Sequence, residues 1–135
     1  MTTFELNDRL ATDSFPVGKM GICQIRLVND SRWPWLLLIP EKNDLVELHD
    51  MSLAEQQQIA TATNDCARLL KQLSHCQKIN SGSLGNVVSQ LHIHVVARSE
   101  GDSNWPNPVW GFESAKSYAV TERENLIAKI QAELN

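Results

Sequence analysis

The sequence predicts an α+β fold, in which one long helix and a C-terminal helix pack on an antiparallel sheet. Residues 22–28 and 35–39 are two strand-like runs joined by a turn, so they predict a hairpin. Residues 90–98 alternate polar and apolar side chains and are rich in β-branched residues, which is typical of a further strand. A long helical pattern, not short alternating strands and helices, lies between these runs. Strands grouped in hairpins with segregated helices indicate the α+β class.

The predicted hairpin follows a lead-in with a weak signal. Residues 4–14 favour a short helical or irregular segment, and residues 15–18, Phe-Pro-Val-Gly, favour a turn. The first strand of the hairpin alternates apolar and polar residues. The second strand is continuously apolar and ends at Pro40, which suits a more deeply buried position. Residues 44–51 are expected to hold one short helical turn.

Two capping boxes predict where the helices begin. Ser52 and Glu55 have the spacing that caps the long helix, which should end near His75. Its apolar residues recur every three or four positions, as on one buried helix face. Thr121 and Glu124 have the same spacing and are expected to open the C-terminal helix. The apolar face of that helix comprises Leu126, Ile127, Ile130 and Leu134.

The segments around the third strand are predicted to be mostly loops. A short strand at residues 77–79 leads into a Gly, Ser and Asn loop at residues 80–86, whose backbone N–H groups can turn toward an anion. Residues 99–104 are polar and are expected to be flexible. Residues 105–111 contain two prolines and are expected to run extended over the surface.

Composition limits the class of protein. A chain of 135 residues is one domain with room for a core, and 42% apolar with 21% charged residues is ordinary for a globular protein. The net charge is −4 and no basic cluster is present, which argues against a nucleic-acid polymer as partner. No apolar run approaches the roughly 20 residues of a membrane helix, so no membrane association is expected.

Localisation is predicted from the first residues and from the cysteines. The first residues lack the basic and apolar regions of a signal peptide. Cys23, Cys66 and Cys76 are odd in number and widely spaced, so they are expected to be reduced thiols of a cytoplasmic protein. The common zinc signatures, Cys-x-x-Cys and His-Glu-x-x-His, do not occur in the sequence.

Alternation places the polar residues of the third strand on one face. Gln90, His92 and His94 project to the same side, over roughly 13 Å at about 3.3 Å per residue. The apolar residues between them can then pack into the core. Two histidines on a strand are by themselves ordinary structural or solvent-facing residues, so their meaning depends on the motifs around them.

The stretch Gln-Leu-His-Ile-His-Val-Val at residues 90–96 resembles the signature of the histidine triad (HIT) superfamily, in which three histidines alternate with apolar residues. Residues 36–42, Leu-Leu-Leu-Ile-Pro-Glu-Lys, are similar to the family's apolar strand that ends in Ile-Pro-Lys. The long helix, the Gly-Asn loop and a downstream Trp-Pro segment follow in the family's order. The resemblance spans roughly residues 22–98. It implies one HIT-like domain over residues 1–135, with its core at about 22–98 and a C-terminal extension at about 99–135.

By this resemblance the chain is expected to be a homodimer that binds nucleotides, on the diadenosine-polyphosphate-hydrolase-like bacterial branch. The resemblance implies no protein-bound cofactor or metal, and any Mg²⁺ is expected to arrive with the polyphosphate substrate. His92 matches the middle, nucleophilic histidine of the family, and His94 matches the third. Gln90 stands where the first histidine belongs, and Trp35 replaces a further family histidine before the Ile-Pro strand.

These residues can support a double displacement at phosphorus. His92 is expected to attack the α-phosphate of a dinucleoside polyphosphate or related conjugate and form a nucleotidyl-histidine, which water then hydrolyses. A backbone carbonyl is expected to hold the second ring nitrogen of His92. Hydrogen bond donors then stabilise the spread negative charge. The candidate catalytic residues are His92, His94 and Gln90, and the candidate substrate-binding residues are Asn80, Gly85, Asn86, Ser89, Asn29 and Arg98.

Several residues keep an alternative interpretation. Arg98 pairs with either a phosphate or a surface carboxylate. Asn29 or Asp30 holds either a ribose hydroxyl, as an acidic residue does in the family, or the turn in which it lies. Trp105 and Trp110 are candidates for a lid or a dimer contact.

Two other functions remain open at this stage. The first is a non-catalytic nucleotide-binding protein on the same fold, because the first histidine is missing. The second is a metal protein that uses the His-x-His pair, although no third ligand is evident. Trp33 and Trp35 are interpreted as packing residues in either case.

Overall fold

One antiparallel sheet of five strands organises the protein, whose structure, a computed structural model, describes residues 3–134. The elements are α1 (Asp8–Thr12), β1 (Ser14–Met20), β2 (Cys23–Val28), β3 (Trp35–Pro40), a 3-10 turn (Leu48–Asp50), α2 (Leu53–Ser74), β4 (Lys78–Gly82), β5 (Ile93–Arg98) and α3 (Val120–Leu134). The strands lie in the order β1-β2-β3-β5-β4, which leaves β1 and β4 at the edges. The predicted α+β architecture is confirmed. No helix among the described residues has the length and apolar character needed to span a bilayer.

The predicted hairpin is confirmed, and one more strand precedes it. β2 pairs antiparallel with β3. Residues 15–18 lie within β1 and pair with β2, so the prediction of a turn there was wrong. Pro16 is tolerated because β1 is an edge strand, where an N–H group that faces solvent can be missing. The pairing register shifts between Pro16 and Gly18, which accommodates the irregularity.

Helices α2 and α3 cover one face of the sheet and form the main core with it. The predicted capping box opens α2, since the Ser52 hydroxyl accepts from the Glu55 N–H (3.2 Å) and the Glu55 carboxylate accepts from the Ser52 N–H (3.0 Å). The helix ends at His75, which adopts the left-handed conformation with φ 57°. Fully or nearly fully buried residues of this core include Ile25, Leu27, Leu36, Leu38, Ile59, Cys66, Leu70, Val95 and Ile130.

The opposite face of the sheet carries the polar residues of interest. Side chains of residues paired across antiparallel strands project to the same side. Leu37 of β3 and Gly82 of β4 both pair with His94, while Trp35 pairs with Val96. The centre of this face is therefore built from β3, β5 and β4, with His94 on its middle strand.

Two strand boundaries near the histidines differ from the prediction. β4 extends to Gly82, so Asn80 lies in a strand and not in the loop. β5 begins only at Ile93. The residues before it leave the sheet because the Leu91 N–H donates to the Leu45 carbonyl at 2.9 Å, in the segment that precedes the 3-10 turn. The expected strand at residues 90–98 is therefore shorter at its start.

The C-terminal helix has the predicted apolar face but a different beginning. α3 starts at Val120, so Thr121 lies inside its first turn and the predicted second capping box was wrong. The Arg123 N–H donates to the Ala119 carbonyl at 2.9 Å, which makes Ala119 the residue that precedes the helix. Ile130 is fully buried in the main core. The C-terminal extension is thus part of the packed domain.

Residues 99–111 form mostly turns and bends, so the extended conformation expected for residues 105–111 was wrong. Asp102 forms an ion pair with Arg98 at 2.8 Å, which fixes the start of the segment. The chain then returns to the sheet, where Val109 is buried against Trp33 and Val96. The buried Val109 side chain at one end and the ion pair between Arg98 and Asp102 at the other explain why the segment folds back onto the sheet.

The three cysteines are free and buried, as expected for reduced thiols. Burial raises the pKa of the Cys23 and Cys66 thiols to about 12. Both groups therefore stay protonated at neutral pH and act as small apolar core residues.

We expect Ile130→Ala to lower the free energy of unfolding by about 2–5 kcal/mol, because it deletes a fully buried side chain and leaves a cavity. The matched control is Val120→Ala in the same helix, whose side chain is 58% exposed and whose truncation should cost about 0.5 kcal/mol or less. Urea denaturation of both variants measures the difference. Equal stability of the two variants would show that α3 is not part of the cooperative core.

Candidate active site

The backbone holds the His92 ring through one of its two nitrogens. The residue directly precedes β5 and is 6% exposed. Its Nδ1 lies 2.7 Å from the backbone oxygen of Gln90. A carbonyl oxygen only accepts, so Nδ1 carries the hydrogen and Nε2 keeps its lone pair. The backbone carbonyl expected to hold the imidazole is therefore present.

His94 is held in the opposite way, by a donor. The indole N–H of Trp35 donates to Nδ1 of His94 at 3.0 Å. An indole nitrogen cannot accept a hydrogen bond, so Nδ1 is unprotonated and the neutral ring carries its hydrogen on Nε2. Burial, and next the proximity of His92, lower the pKa of His94 to about 4, while a hydrogen bond to the backbone of Leu84 acts in the opposite direction. His94 is therefore uncharged at neutral pH.

Aromatic rings surround the second histidine. The His94 ring lies 4.9 Å from the His92 ring and 5.3 Å from the Trp110 ring, centroid to centroid, with Trp110 nearly perpendicular. Trp35 contacts both His94 (5.7 Å) and Trp110 (6.4 Å). Trp110, which was a candidate for a lid or a dimer contact, thus packs directly against a site histidine. His94 is 7% exposed among these rings.

A cavity of about 530 Å³ is lined by both histidines. Its wall is mostly apolar, and its polar side chains are those of the two histidines, of Asn86 in the loop before them, and of Arg9 and Asp13 on the opposite wall. Concave sites of this composition are typical of small-molecule binding. The apolar lining residues include Leu10, Val28, Trp35, Leu37, Val88 and Trp110.

A second, smaller cavity of about 140 Å³ meets the first at the loop after β4. It is lined by Gly85, Asn86 and Ser89, so three predicted substrate-binding residues lie beside His92. His92, Gly85 and Asn86 line both cavities. A Cβ atom at Gly85 would come within 2.8 Å of the Val88 carbonyl oxygen, which explains the glycine. His92 therefore sits between an apolar and a polar compartment.

The Gln90 side chain binds the N-terminal segment. Its Oε1 accepts from the Asn7 N–H at 2.8 Å, and its Nε2 donates to the Glu5 carbonyl at 2.9 Å. Gln90 also lines the polar cavity beside His92 and has a second amide hydrogen, so its donation to a phosphate oxygen stays a prediction. Gln90 lies outside β5, so the alternation of side chains along that strand does not determine the direction of its side chain.

Arg98 is bound to a carboxylate within the protein, as its alternative interpretation expects, and its contact with a substrate stays a prediction. The side chain is 1% exposed and donates through two nitrogens to the Asp102 carboxylate, each at 2.8 Å. It also donates to the Asn107 carbonyl at 2.8 Å. The Trp33 and Trp105 rings lie 5.7 and 5.6 Å from its guanidinium carbon. The partner is thus a carboxylate, and the cation holds the Trp105 segment in place.

Two predicted asparagines lie away from the two histidine-lined cavities. Asn80 shares the sheet face of His94, but its Oδ1 accepts from Arg98 at 3.4 Å and it lines neither cavity. Asn29 accepts from the Tyr118 N–H at 3.0 Å and thereby binds the segment before α3. The structure therefore gives Asn80 and Asn29 protein partners, and their contacts with a substrate stay predictions.

The turn after β2 contains a buried ion pair. Asp30 is nearly fully buried and pairs with Arg32 at 2.8 Å. Asn29, Asp30 and Arg32 line a third cavity of about 390 Å³, which shares the Trp35 wall with the first. The turn interpretation accounts for both Asn29 and Asp30, and a ribose contact stays a prediction.

Sequence reasoning missed two parts of the site. Trp35 was interpreted as a packing residue, although its position before the Ile-Pro strand could have indicated a partner for the histidines. The wall from α1, formed by Arg9, Leu10 and Asp13, was hidden in a segment with a weak helical signal. Over residues 3–134, no three His, Cys, Asp or Glu side chains are grouped so that they could hold a metal ion.

Comparisons with known proteins agree with this geometry. A family model described as the HIT domain matches residues 9–101. A histidine triad protein from Sinorhizobium meliloti 1021 is 47% identical in sequence, with a TM-score of 0.95 over 98% of each chain. A histidine triad protein from Bradyrhizobium japonicum is 35% identical, with a TM-score of 0.96 over 99% of this chain and 100% of that chain.

More distant likeness concerns the fold alone. A diadenosine triphosphate hydrolase from Plasmodium falciparum is 17% identical, with a TM-score of 0.67 over 98% of this chain and 80% of that one. No curated protein sequence matches the chain significantly. The family match spans most of the chain and the bacterial structures are similar along nearly their whole length, so the chain belongs to the histidine triad (HIT) family.

Proposed function

We propose that this protein is a nucleotide-binding hydrolase or transferase that releases a nucleoside monophosphate from a dinucleoside polyphosphate or a related nucleotide conjugate. The observation that carries the proposal is the position of His92 between two cavities, with Nδ1 protonated and the Nε2 lone pair preserved. The apolar cavity suits a nucleoside, and the polar cavity beside Gly85 suits phosphate oxygens. A histidine that binds a metal ion does not need an apolar and a polar cavity beside it, so this pair of cavities favours a nucleotide as ligand.

The proposed chemistry has two displacements at one phosphorus atom. His92 Nε2 gives its lone pair to the α-phosphorus, and the bond to the bridging oxygen breaks, so that oxygen leaves with the bonding electrons. The Gln90 carbonyl stabilises the positive charge of the nucleotidyl-histidine through the Nδ1 hydrogen. Water then attacks phosphorus, loses a proton, and releases the monophosphate with His92 restored.

The neutral state of His94 favours a phosphoric anhydride as substrate. A ring with its Nδ1 bound to the Trp35 indole has only the Nε2 hydrogen to offer to a phosphate oxygen, and it shares that hydrogen with the backbone of Leu84. With its pKa at about 4, His94 is rarely protonated at neutral pH and is a weak source of protons for a leaving group. A phosphate, whose second pKa is about 6, can leave without a proton, whereas an amine cannot. We therefore favour the diadenosine-polyphosphate type of substrate over a phosphoramidate.

Three further expectations belong to the same proposal. The protein acts as a homodimer, as the family resemblance implies, and in the cytoplasm, as the first residues and the cysteines predict. It holds no cofactor of its own, and the polyphosphate carries its Mg²⁺ into the site. The base and the number of phosphates that it prefers follow from the shape of the apolar cavity.

We expect His92→Ala to lower the turnover of diadenosine tetraphosphate by roughly 10⁴-fold or more, because it removes the attacking nitrogen. The matched control is His49→Ala, an exposed histidine in the 3-10 turn, which should keep full turnover. Acid-free rapid quenching and intact-mass measurement should detect one adenylyl group on the wild type and none on His92→Ala. Nucleotide binding by both proteins without turnover by either would favour a non-catalytic binding protein.

We expect the protein to lose stability as the pH falls from about 6.5 to about 4, because unfolded His94 binds a proton in that range and folded His94 does not. The contribution is present above pH 6.5 and amounts to about 3 kcal/mol at most. Trp35→Phe removes the indole donor, so the pKa of His94 should rise and this pH dependence should shrink. Urea denaturation at several pH values measures it.

The control for that experiment is Trp33→Phe. The Trp33 indole donates to the Ser103 carbonyl at 2.9 Å and has no bond to His94. This variant should lose stability by a similar amount at every pH. A pH dependence that is unchanged in Trp35→Phe would contradict the role given to the indole.

A further inference from the structure

We propose that Gln90 is a positioning residue, through which the N-terminal segment fixes the tautomer and aim of His92. The family match begins at residue 9, so the backbone groups that hold Gln90, those of Glu5 and Asn7, lie outside it. The kinetic consequence of this inference rests on the proposed function, but its structural core does not.

The carboxamide of Gln90 is held at both ends. Oε1 accepts from the Asn7 N–H at 2.8 Å, and Nε2 donates to the Glu5 carbonyl at 2.9 Å. One partner can only donate and the other can only accept, so the orientation of the amide is determined. The segment that provides these partners is itself fastened, because Asn43 accepts from the Glu5 N–H and donates to the Thr3 carbonyl, both at 2.9 Å.

The main chain of Gln90 performs the positioning. The peptide group between Gln90 and Leu91 is planar, so its N–H and C=O point in opposite directions. The Leu91 N–H donates to the Leu45 carbonyl at 2.9 Å, and the Gln90 carbonyl accepts from His92 Nδ1 at 2.7 Å. This peptide group therefore decides which nitrogen of His92 carries the hydrogen.

The sheet does not hold this peptide group, because β5 begins only at Ile93. The peptide group is held instead by the Leu45 bond on one side, by the side-chain clamp of Gln90 on the other, and by the buried Leu91 side chain in the main core. Loss of the clamp lets residues 90–92 move, so the carbonyl spends less time on Nδ1. The tautomer with an unprotonated Nε2 then becomes less populated, and fewer His92 rings are ready to attack.

Two pairs of variants test the inference. Gln90→Met keeps the length of the side chain and removes both clamp bonds; Gln77→Met, which removes a side-chain bond to the Glu100 N–H far from His92, is its control. Asn7→Pro removes the backbone N–H that donates to Gln90 Oε1 and leaves the bond to Glu5 in place. The φ of −55° at Asn7 suits proline. Asn7→Ala is its control, since both changes remove the side-chain cap of α1 but only proline removes the N–H.

The first measurement needs no substrate. In ¹⁵N spectra of the free protein, His92 of the wild type should show a protonated Nδ1 and an unprotonated Nε2. In Gln90→Met and Asn7→Pro the two shifts should move toward each other, as two tautomers interconvert. The Gln77→Met and Asn7→Ala spectra should match the wild type.

The second measurement is turnover of diadenosine tetraphosphate. Gln90→Met and Asn7→Pro should lower kcat about tenfold with KM changed less than twofold, because the clamp touches the nucleophile and not the nucleotide. Wild-type His92 shifts in Gln90→Met would overturn the inference. Altered shifts with no turnover in any protein would uphold the clamp and count against the proposed reaction.

Discussion

The pairing of β3 with β5 at the centre of the sheet is the constraint on which the site depends. Trp35 pairs with Val96, which makes His94 its diagonal neighbour on the same face, a separation that aromatic side chains can bridge. A shift of one residue would turn either Trp35 or His94 into the core. The core residues of the other face, such as Leu36 and Val95, resist that shift because they are fully buried. Hydrophobic packing on one side thus determines the hydrogen bond on the other.

The two neighbouring imidazoles hold opposite tautomers, and the difference comes from their partners. His92 faces a carbonyl and must donate from Nδ1, whereas His94 faces an indole and must accept there. The neutral state of His94 avoids the repulsion of two positive charges on rings 4.9 Å apart. Two identical side chains therefore carry their ring hydrogens on different nitrogens because their surroundings differ.

Local sequence patterns predicted the parts of the fold that depend on local physics. The spacing of apolar residues and the capping box identified α2, and the alternation of polar and apolar residues identified the hairpin and placed the two histidines on one face. Each of these signals lies within a few residues of sequence. Contacts between distant segments could not be predicted in this way. The carboxylate partner of Arg98 was left open, and nothing in the alternation of residues 90–98 shows that Gln90 is drawn toward residues 5–7. A polar side chain near a strand can form hydrogen bonds with many different groups, and the tertiary structure determines which of them it contacts.

The segments on either side of the family match have a consequence for how this domain is delimited. The family match at residues 9–101 includes both histidines, but it omits the backbone of Glu5 and Asn7 and the indole of Trp110. A fragment cut at those limits would keep the recognisable motif and lose groups that touch or support it. Sequence change in the flanks can therefore alter reactivity while the motif itself stays constant. For proteins of this kind, homology boundaries and functional boundaries need not coincide.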